Sequence, residues 1–195
     1  MASSAAATYP VRLEVDAAAP QSRLTVFFRL FMMIPHFIVL SLLGTVVQII
    51  SFVAWLIILF SGTYPDGLLR FSIGVARWNA RANAYYGLLT DVYPPFSMDE
   101  DATYPIRLFV DEQISGRNRL TTFFRLIMVI PQVIVLYLVQ LAASVVIFIA
   151  WLIALFTGTV PDGLHNFIAG YNRWNVRVMA YALLLVDDYP PFSLD

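Results

Sequence analysis

Two long stretches of the sequence carry no charged side chain. They run from Leu30 to Phe60 and from Leu126 to Phe156, and each exceeds the roughly 20 residues that a helix needs to span the hydrocarbon of a membrane. Apolar residues make up 59% of the chain and charged residues 13%, whereas soluble domains have about half and a quarter. These stretches predict an integral membrane protein, because soluble cores rarely bury helices of such length and composition.

The two stretches belong to two copies of one unit. Residues 23–99 align with residues 119–195 without a gap, and more than half of the aligned pairs are identical. Such self-similarity is the signature of an internal duplication. We therefore predict two tandem repeats, residues 1–100 and residues 101–195, which meet in a short acidic linker.

Each repeat has four predicted elements in the same order. Tyr9–Val15 and Tyr104–Val110 alternate apolar and polar residues, which predicts a short strand. The apolar segment follows and ends at Phe60-Ser61-Gly62 in the first repeat, with a Gly just past the helix end. Pro65-Asp66-Gly67 then opens an amphipathic helix, and a double proline forces an extended tail. The predicted fold class is mainly α and membrane-embedded.

The apolar segment of each repeat, about 38 residues long, fits two short crossings better than one. An even number of crossings keeps equivalent arginines of both repeats on the cytoplasmic side, where basic residues collect. The middle of the segment is also its most polar part, with Gly44 and Gln48 in the first repeat and Gln140 and Ser144 in the second. We predict a helical hairpin in each repeat, hence four crossings with both termini in the cytoplasm. A continuous helix with a polar stripe and a hairpin that only dips into the membrane remain open.

Eight arginines are candidates for binding lipid headgroups or for forming structural ion pairs. Arg29 and Arg125 lie near the start of the apolar segments, where a long side chain can snorkel to the headgroups. On the third element, Arg77 and Arg81 lie four residues apart beside aromatic residues, as in helices of the membrane interface. The arginine candidates are Arg23, Arg29, Arg77, Arg81, Arg119, Arg125, Arg173 and Arg177, and the interfacial aromatic candidates are Trp78, Tyr85, Trp174 and Tyr181.

The alternative for the third element is structural. Its arginines then pair with Asp66, Asp91 or Glu14 and hold a cytoplasmic layer together. Both roles are compatible with one another, and neither is catalytic.

The motif Asp-x-Tyr-Pro-Pro-Phe closes both repeats. A polyproline segment can dock a partner protein, or its Tyr and Phe can pack on the chain that carries them. The candidate docking residues are Tyr93, Pro94, Pro95, Phe96, Tyr189, Pro190, Pro191 and Phe192.

The sequence offers little material for catalysis. It has no cysteine, and its two histidines, His36 and His165, do not align with each other. No Ser-His-Asp arrangement or phosphate-binding Gly loop is present, so we predict no catalytic, cofactor or metal site. The net charge of −1 argues against nucleic acid.

We therefore expect a non-enzymatic scaffold or accessory subunit that binds lipid headgroups, within a larger membrane complex or a homo-oligomer. The alternatives are a membrane-shaping hairpin protein and a small transporter or channel formed by duplication. Transport lacks the ionisable groups that transporters usually place inside the membrane.

The combined motifs resemble one family. Phe28-Arg29-Leu30, Ile34-Pro35, Leu59-Phe60-Ser61-Gly62, Arg77-Trp78-Asn79-Ala80-Arg81 and Asp91-Val92-Tyr93-Pro94-Pro95-Phe96, with their equivalents in the second repeat, are similar to a family of bacterial membrane proteins known as domain of unknown function 4389. The resemblance covers nearly the whole chain, once per repeat. It implies the plasma membrane of a prokaryote and carries no mechanism.

Overall fold

A computed structural model describes residues 9–195. These residues form four helices and one two-stranded sheet, and the elements of the first repeat recur in the same order in the second. The elements are β1 (Val11–Val15), α1 (Arg23–Ser61), α2 (Asp66–Tyr86), β2 (Ile106–Val110), α3 (Arg119–Thr157) and α4 (Asp162–Ala182).

The apolar segment of each repeat is one continuous helix of 39 residues. At 1.5 Å per residue, each helix is roughly 58 Å long. The predicted hairpin is therefore wrong. The polar residues in the middle do not break the helix because their hydroxyls bond within it: Ser41 Oγ donates to the Ile38 carbonyl, and Thr45 Oγ1 donates to the Ser41 carbonyl.

Both long helices end at a glycine in the left-handed conformation. Gly62 has φ 73° and Gly158 has φ 78°, and each donates its N–H to the carbonyl four residues earlier. Glycine reaches this conformation at little cost. The predicted helix ends are thus confirmed.

The two long helices run antiparallel. The start of α1 lies at the end of α3, where Gln21 N donates to the Gly158 carbonyl, and Trp151 Nε1 donates to the Val26 carbonyl. At the opposite end, Trp55 Nε1 donates to the Thr122 carbonyl. A pseudo-two-fold axis thus relates the repeats and crosses the long helices near their midpoints.

The protein has three layers stacked along this axis. The outermost layer is the antiparallel pair β1–β2, whose register centres on Leu13 opposite Leu108. Helices α2 and α4 form the middle layer, and α1 and α3 form the third. Strand β1 packs on α4 and β2 packs on α2, so each repeat completes the other. The two repeats share one hydrophobic core.

Each long helix buries only a narrow stripe. The buried positions of α1 recur every three, four or seven residues from Val26 to Ile58, and those of α3 do the same from Thr122 to Ala154. Within the most apolar window of each helix, the buried share is 22% in α1 and 17% in α3. A core helix of a soluble protein is mostly buried, so this exposure sets α1 and α3 apart. Both helices are long and apolar enough to cross a membrane.

Candidate functional site

The main candidate for a functional surface is the outer side of α1 and α3, which we call the apolar face. It extends along both helices, from Leu24 to Phe60 and from Leu120 to Phe156. Contiguous apolar patches on soluble monomers rarely exceed a few hundred Å². The large exposed side chains of α1 are Leu24, Phe27, Phe28, Leu30, Phe31, Ile34, Phe37, Ile38, Leu42, Val46, Ile49, Phe52, Val53, Leu56 and Phe60.

In both long helices, some polar side chains are buried and most exposed side chains are apolar. Their buried stripes contain Arg29 and His36 in α1 and Arg125 and Gln132 in α3. Their exposed surfaces carry Leu, Ile, Val and Phe. A surface helix of a soluble protein has the opposite arrangement, with charged residues outward. The apolar face is therefore suited to an apolar environment.

The charged groups of the sheet lie on the opposite side of the molecule. Arg107 donates to Asp16 at 2.8 Å and to Glu14 at 3.2 Å, and these hydrogen bonds raise the pKa of Arg107. Because the pseudo-two-fold axis passes through the sheet centre, this ion-pair cluster lies over the midpoints of α1 and α3. The molecule thus has one apolar side and one charged side.

Arg29 is buried rather than directed to a surface. Its guanidinium contacts Asp91 at 2.9 Å and donates to the backbone carbonyls of Tyr85 and Thr90, and its side chain is 2% exposed. It also lies 4.2 Å from the centre of the Tyr85 ring. The snorkelling interpretation is therefore wrong for Arg29, which forms a buried structural ion pair with Asp91.

The second repeat builds the same centre around Arg125. This side chain contacts Asp187 at 2.8 Å and donates to the carbonyls of Tyr181 and Val186. Arg117 adds a second cation to Asp187 at 3.1 Å. Burial lowers the pKa of Arg117, and the charge of Asp187 opposes that shift. In the first repeat the position equivalent to Arg117 is Gln21, which donates to the Leu88 carbonyl.

The arginines of the middle layer also serve the fold. Arg77 donates to the Leu108 carbonyl and contacts Glu100, and Arg173 donates to the Leu13 carbonyl. Each thereby holds a strand of the sheet. Helices α2 and α4 lie between two layers of the protein. A structural role fits Arg77 and Arg173, but the predicted ion pairs with Asp66, Asp91 or Glu14 are wrong for them.

Arg81 and Arg177 are buried. Arg81 Nη2 donates to the backbone carbonyls of Ser97 and Asp99, and Arg177 is 7% exposed. Burial lowers the pKa of both guanidinium groups. Of the predicted partners, Asp66 contacts Arg70 instead.

Two of the eight predicted arginines remain exposed. Arg23 and Arg119 stand at the first residue of α1 and of α3, next to the exposed Leu24 and Leu120. They lie at opposite ends of the paired helices, each at the border of the apolar face. Of the eight arginines, these two have positions suited to binding lipid headgroups.

The predicted interfacial aromatic residues lie in the core. Trp78, Tyr85, Trp174 and Tyr181 are each 5% exposed or less, contrary to the prediction. Trp78 Nε1 donates to His36 Nδ1 at 3.0 Å, and Trp174 Nε1 donates to Gln132 Oε1 at 2.9 Å. Most of the exposed aromatic residues are Phe side chains of the apolar face.

The Pro-Pro-Phe tail of the first repeat packs on its own chain. Tyr93 Oη donates to the Met32 carbonyl, and the Phe96 ring stacks on His36 with 4.0 Å between ring centres. In the second repeat, Gln132 Nε2 donates to the Pro190 carbonyl, and Phe192 lies against Trp174. Pro94, Pro95, Tyr189 and Pro191 belong to the same two tails. About half of each Phe side chain stays exposed.

Sequence reasoning paired Asp91 with the arginines of α2 and α4 instead of Arg29, and it did not single out Asp187 as a partner. Asp91 and Asp187 accept from Arg29 and Arg125, and Asp91 Oδ2 also accepts from Ser22 N before the start of α1. The one sequence feature that could have pointed to them is their equivalent position in the two repeats, directly before each tail. Within residues 9–195, no group of three or more His, Asp or Glu side chains could hold a metal ion.

Comparison with known proteins adds a family but no function. No curated protein and no solved structure matches the chain. One family, described as a domain of unknown function (DUF4389), matches residues 23–98 and again residues 119–193. These two matches cover most of the chain and contain the two helices of each structural repeat. The chain therefore belongs to the DUF4389 family and carries its domain in two tandem copies.

Proposed function

We propose that this protein is a non-enzymatic membrane scaffold whose long helices α1 and α3 lie along the membrane plane, within one leaflet. In this orientation the apolar face contacts the acyl chains, and the middle layer and the sheet stand in water. Arg23 and Arg119 then lie near the headgroups at the two ends of the embedded helices. The protein contacts the membrane from one side instead of passing through it.

The observation that carries the proposal is the placement of the sheet over the midpoints of α1 and α3. If the helices crossed the membrane, the cluster of Arg107, Glu14 and Asp16 would lie at the depth of the bilayer centre. A charged side chain there costs about 2.5 kcal/mol or more. The helices are also roughly 58 Å long, against about 30 Å of hydrocarbon. Both mismatches disappear when the helices lie in the plane.

Site-specific labelling can test this orientation, because the chain contains no cysteine. Thr63 and Thr159 are exposed and follow the ends of α1 and α3, at opposite ends of the antiparallel pair. Thr63→Cys and Thr159→Cys would be expressed one at a time and treated with a membrane-impermeant maleimide on sealed vesicles of either orientation. Arg12→Cys, on the exposed side of the sheet, marks the side of the charged layer.

The in-plane orientation predicts that all three cysteines react from the same side. Labelling of Thr63→Cys and Thr159→Cys from opposite sides would overturn the proposal and establish a crossing. Ile49→Cys, in the middle of the apolar face, serves as a control that should resist the reagent from both sides.

Membrane shaping is the second candidate function, and one observation favours it. Two 39-residue helices whose exposed surfaces are mostly apolar would enlarge one leaflet relative to the other if both lay in it. Addition of the protein to preformed liposomes should then produce smaller or tubular vesicles. If the liposomes keep their shape at saturating protein, membrane shaping is excluded and the scaffold function remains.

The third candidate, a transporter or channel, finds little support. The hydroxyls of Ser41, Thr45 and Ser144 bond to carbonyls of their own helices, so they do not offer a continuous polar path. The prokaryotic plasma membrane, a cytoplasmic charged side and assembly with a partner or a second copy remain part of the proposal.

A further inference from the structure

Two cavities lie between α1 and α3 at equivalent places about the pseudo-two-fold axis, and residues of both repeats line each of them. Their volumes are about 250 and 300 Å³. Every residue that lines the first cavity has its repeat equivalent in the lining of the second. Trp151, Leu30 and Leu88 in the first correspond to Trp55, Leu126 and Leu184 in the second.

The walls of both cavities are largely apolar, and both cavities open onto the apolar face. Leu30 and Phe148 at the first, and Leu126 and Phe52 at the second, are each more than half exposed. The ends of α2 and α4 form the inner wall of the cavities, because they belong to the layer behind the long helices. The second cavity is larger where Ala182 replaces Tyr86.

The cavities exceed what a small apolar molecule needs. An apolar cavity of about 150 Å³ is enough to bind benzene. If the apolar face lies among acyl chains, the chain of a neighbouring lipid is the apolar group that can enter each cavity directly.

The cavities offer no free cation for a headgroup. Arg29 and Arg125 belong to the lining, but their Nη atoms already donate to carbonyls and carboxylates inside the protein. Recognition would therefore rest on the chain and not on the headgroup.

We infer that each of the two cavities between α1 and α3 holds one phospholipid acyl chain. The two sites are independent copies of one design. This inference rests on the proposed in-plane contact of the apolar face with the membrane, and it adds a defined lipid site to that contact.

Retention of lipid by the purified protein tests the inference. The protein would be reconstituted in vesicles of dioleoylphosphatidylcholine, extracted in mild detergent and weighed by native mass spectrometry. The double variant Gln48→Phe, Ser144→Phe places a ring at each cavity and should lower retention at least tenfold. The matched control Ile49→Phe, Val145→Phe changes the next residue of each helix, on the outward surface, and should retain lipid like the wild type.

We expect up to two retained lipids on the wild type, with equal retention of phosphatidylglycerol and phosphatidylcholine. Equal retention by the cavity variant and its control, or no retained lipid on the wild type, would overturn the inference. Flotation of the wild type with vesicles separates the two proposals. A protein that floats but retains no lipid refutes the cavity site alone, whereas a protein that does not float refutes the membrane contact.

A second measurement needs no substitution. Vesicles containing a phospholipid with a photoactivatable group at its chain end would be irradiated with the wild-type protein, and the adducts mapped. Adducts at Tyr86 or Leu183, on the inner wall, support a chain inside the cavity. Adducts confined to outward residues such as Phe31 and Ile127 contradict it.

Discussion

Arg29 and Arg125 are the residues at which sequence and structure differ most. Their position at the polar end of an apolar segment favoured a route to the headgroups. The fold instead covers them with the tail segments that begin at Asp91 and Asp187. Those partners lie about sixty residues away in sequence, so spacing along the helix could not reveal them.

Asp187 is the residue on which the second buried centre depends. It is the carboxylate that both Arg117 and Arg125 contact, and these arginine side chains are 0% and 1% exposed. Asp187→Asn leaves two buried cations without a counter-charge and should lower the free energy of unfolding by roughly 3–5 kcal/mol. Denaturant unfolding in detergent would measure the loss. The neighbouring Asp188→Asn keeps the backbone carbonyl that accepts from Tyr9 and should behave like the wild type. Equal stability of both variants would refute this role.

His36 is replaced by Gln132 in the second repeat, and both accept a hydrogen bond from a buried Trp. The acceptor atom, and not imidazole chemistry, is what the site requires. His36→Gln should therefore unfold within about 1 kcal/mol of the wild type. His36→Leu leaves Trp78 Nε1 without an acceptor and should cost about 1–3 kcal/mol. Thermal unfolding would compare the two variants, and a leucine variant as stable as the glutamine variant would contradict the assignment.

At the scale of elements, helix ends were predictable and helix faces were not. Gly62 and Gly158 stop the long helices where the sequence indicated, since glycine favours the left-handed conformation of a helix end. The sequence did not indicate which face of α1 and α3 is buried. The residues on both sides of the buried stripe are apolar, so the helices lack the hydrophobic periodicity that would mark a buried face. The same uniformity made a hairpin and a single helix indistinguishable by composition.

The tails cross the middle-layer helices at glycines. A Cβ at Gly74 would lie 2.9 Å from Met98 Cβ, and one at Gly170 would lie 2.7 Å from the Leu194 carbonyl oxygen. Gly74→Ala should displace the first tail and expose it to proteolysis after Phe96. Gly67→Ala, in the first turn of the same helix with nothing within 4 Å, should stabilise the protein by up to about 1 kcal/mol. Limited proteolysis would show the difference, and equal cleavage of the two variants would count against close packing of the tail.

At the scale of the whole molecule, the duplication was visible in the sequence but its geometry was not. Each strand was predicted at its place, yet β1 pairs with β2 and packs on α4 of the other repeat. Contacts between repeats leave no trace in the spacing of one sequence. The three layers that result place the charged sheet opposite the apolar face, and this separation is the basis of the in-plane orientation.

The orientation of the helix axes in a bilayer tests that account most directly. The two long helices hold most of the helical residues, so polarised infrared spectroscopy of the protein in aligned bilayers reports chiefly on them. The in-plane orientation predicts amide I dichroism of helices that lie in the membrane plane. Dichroism of helices aligned with the membrane normal would contradict it and would make α1 and α3 membrane crossings.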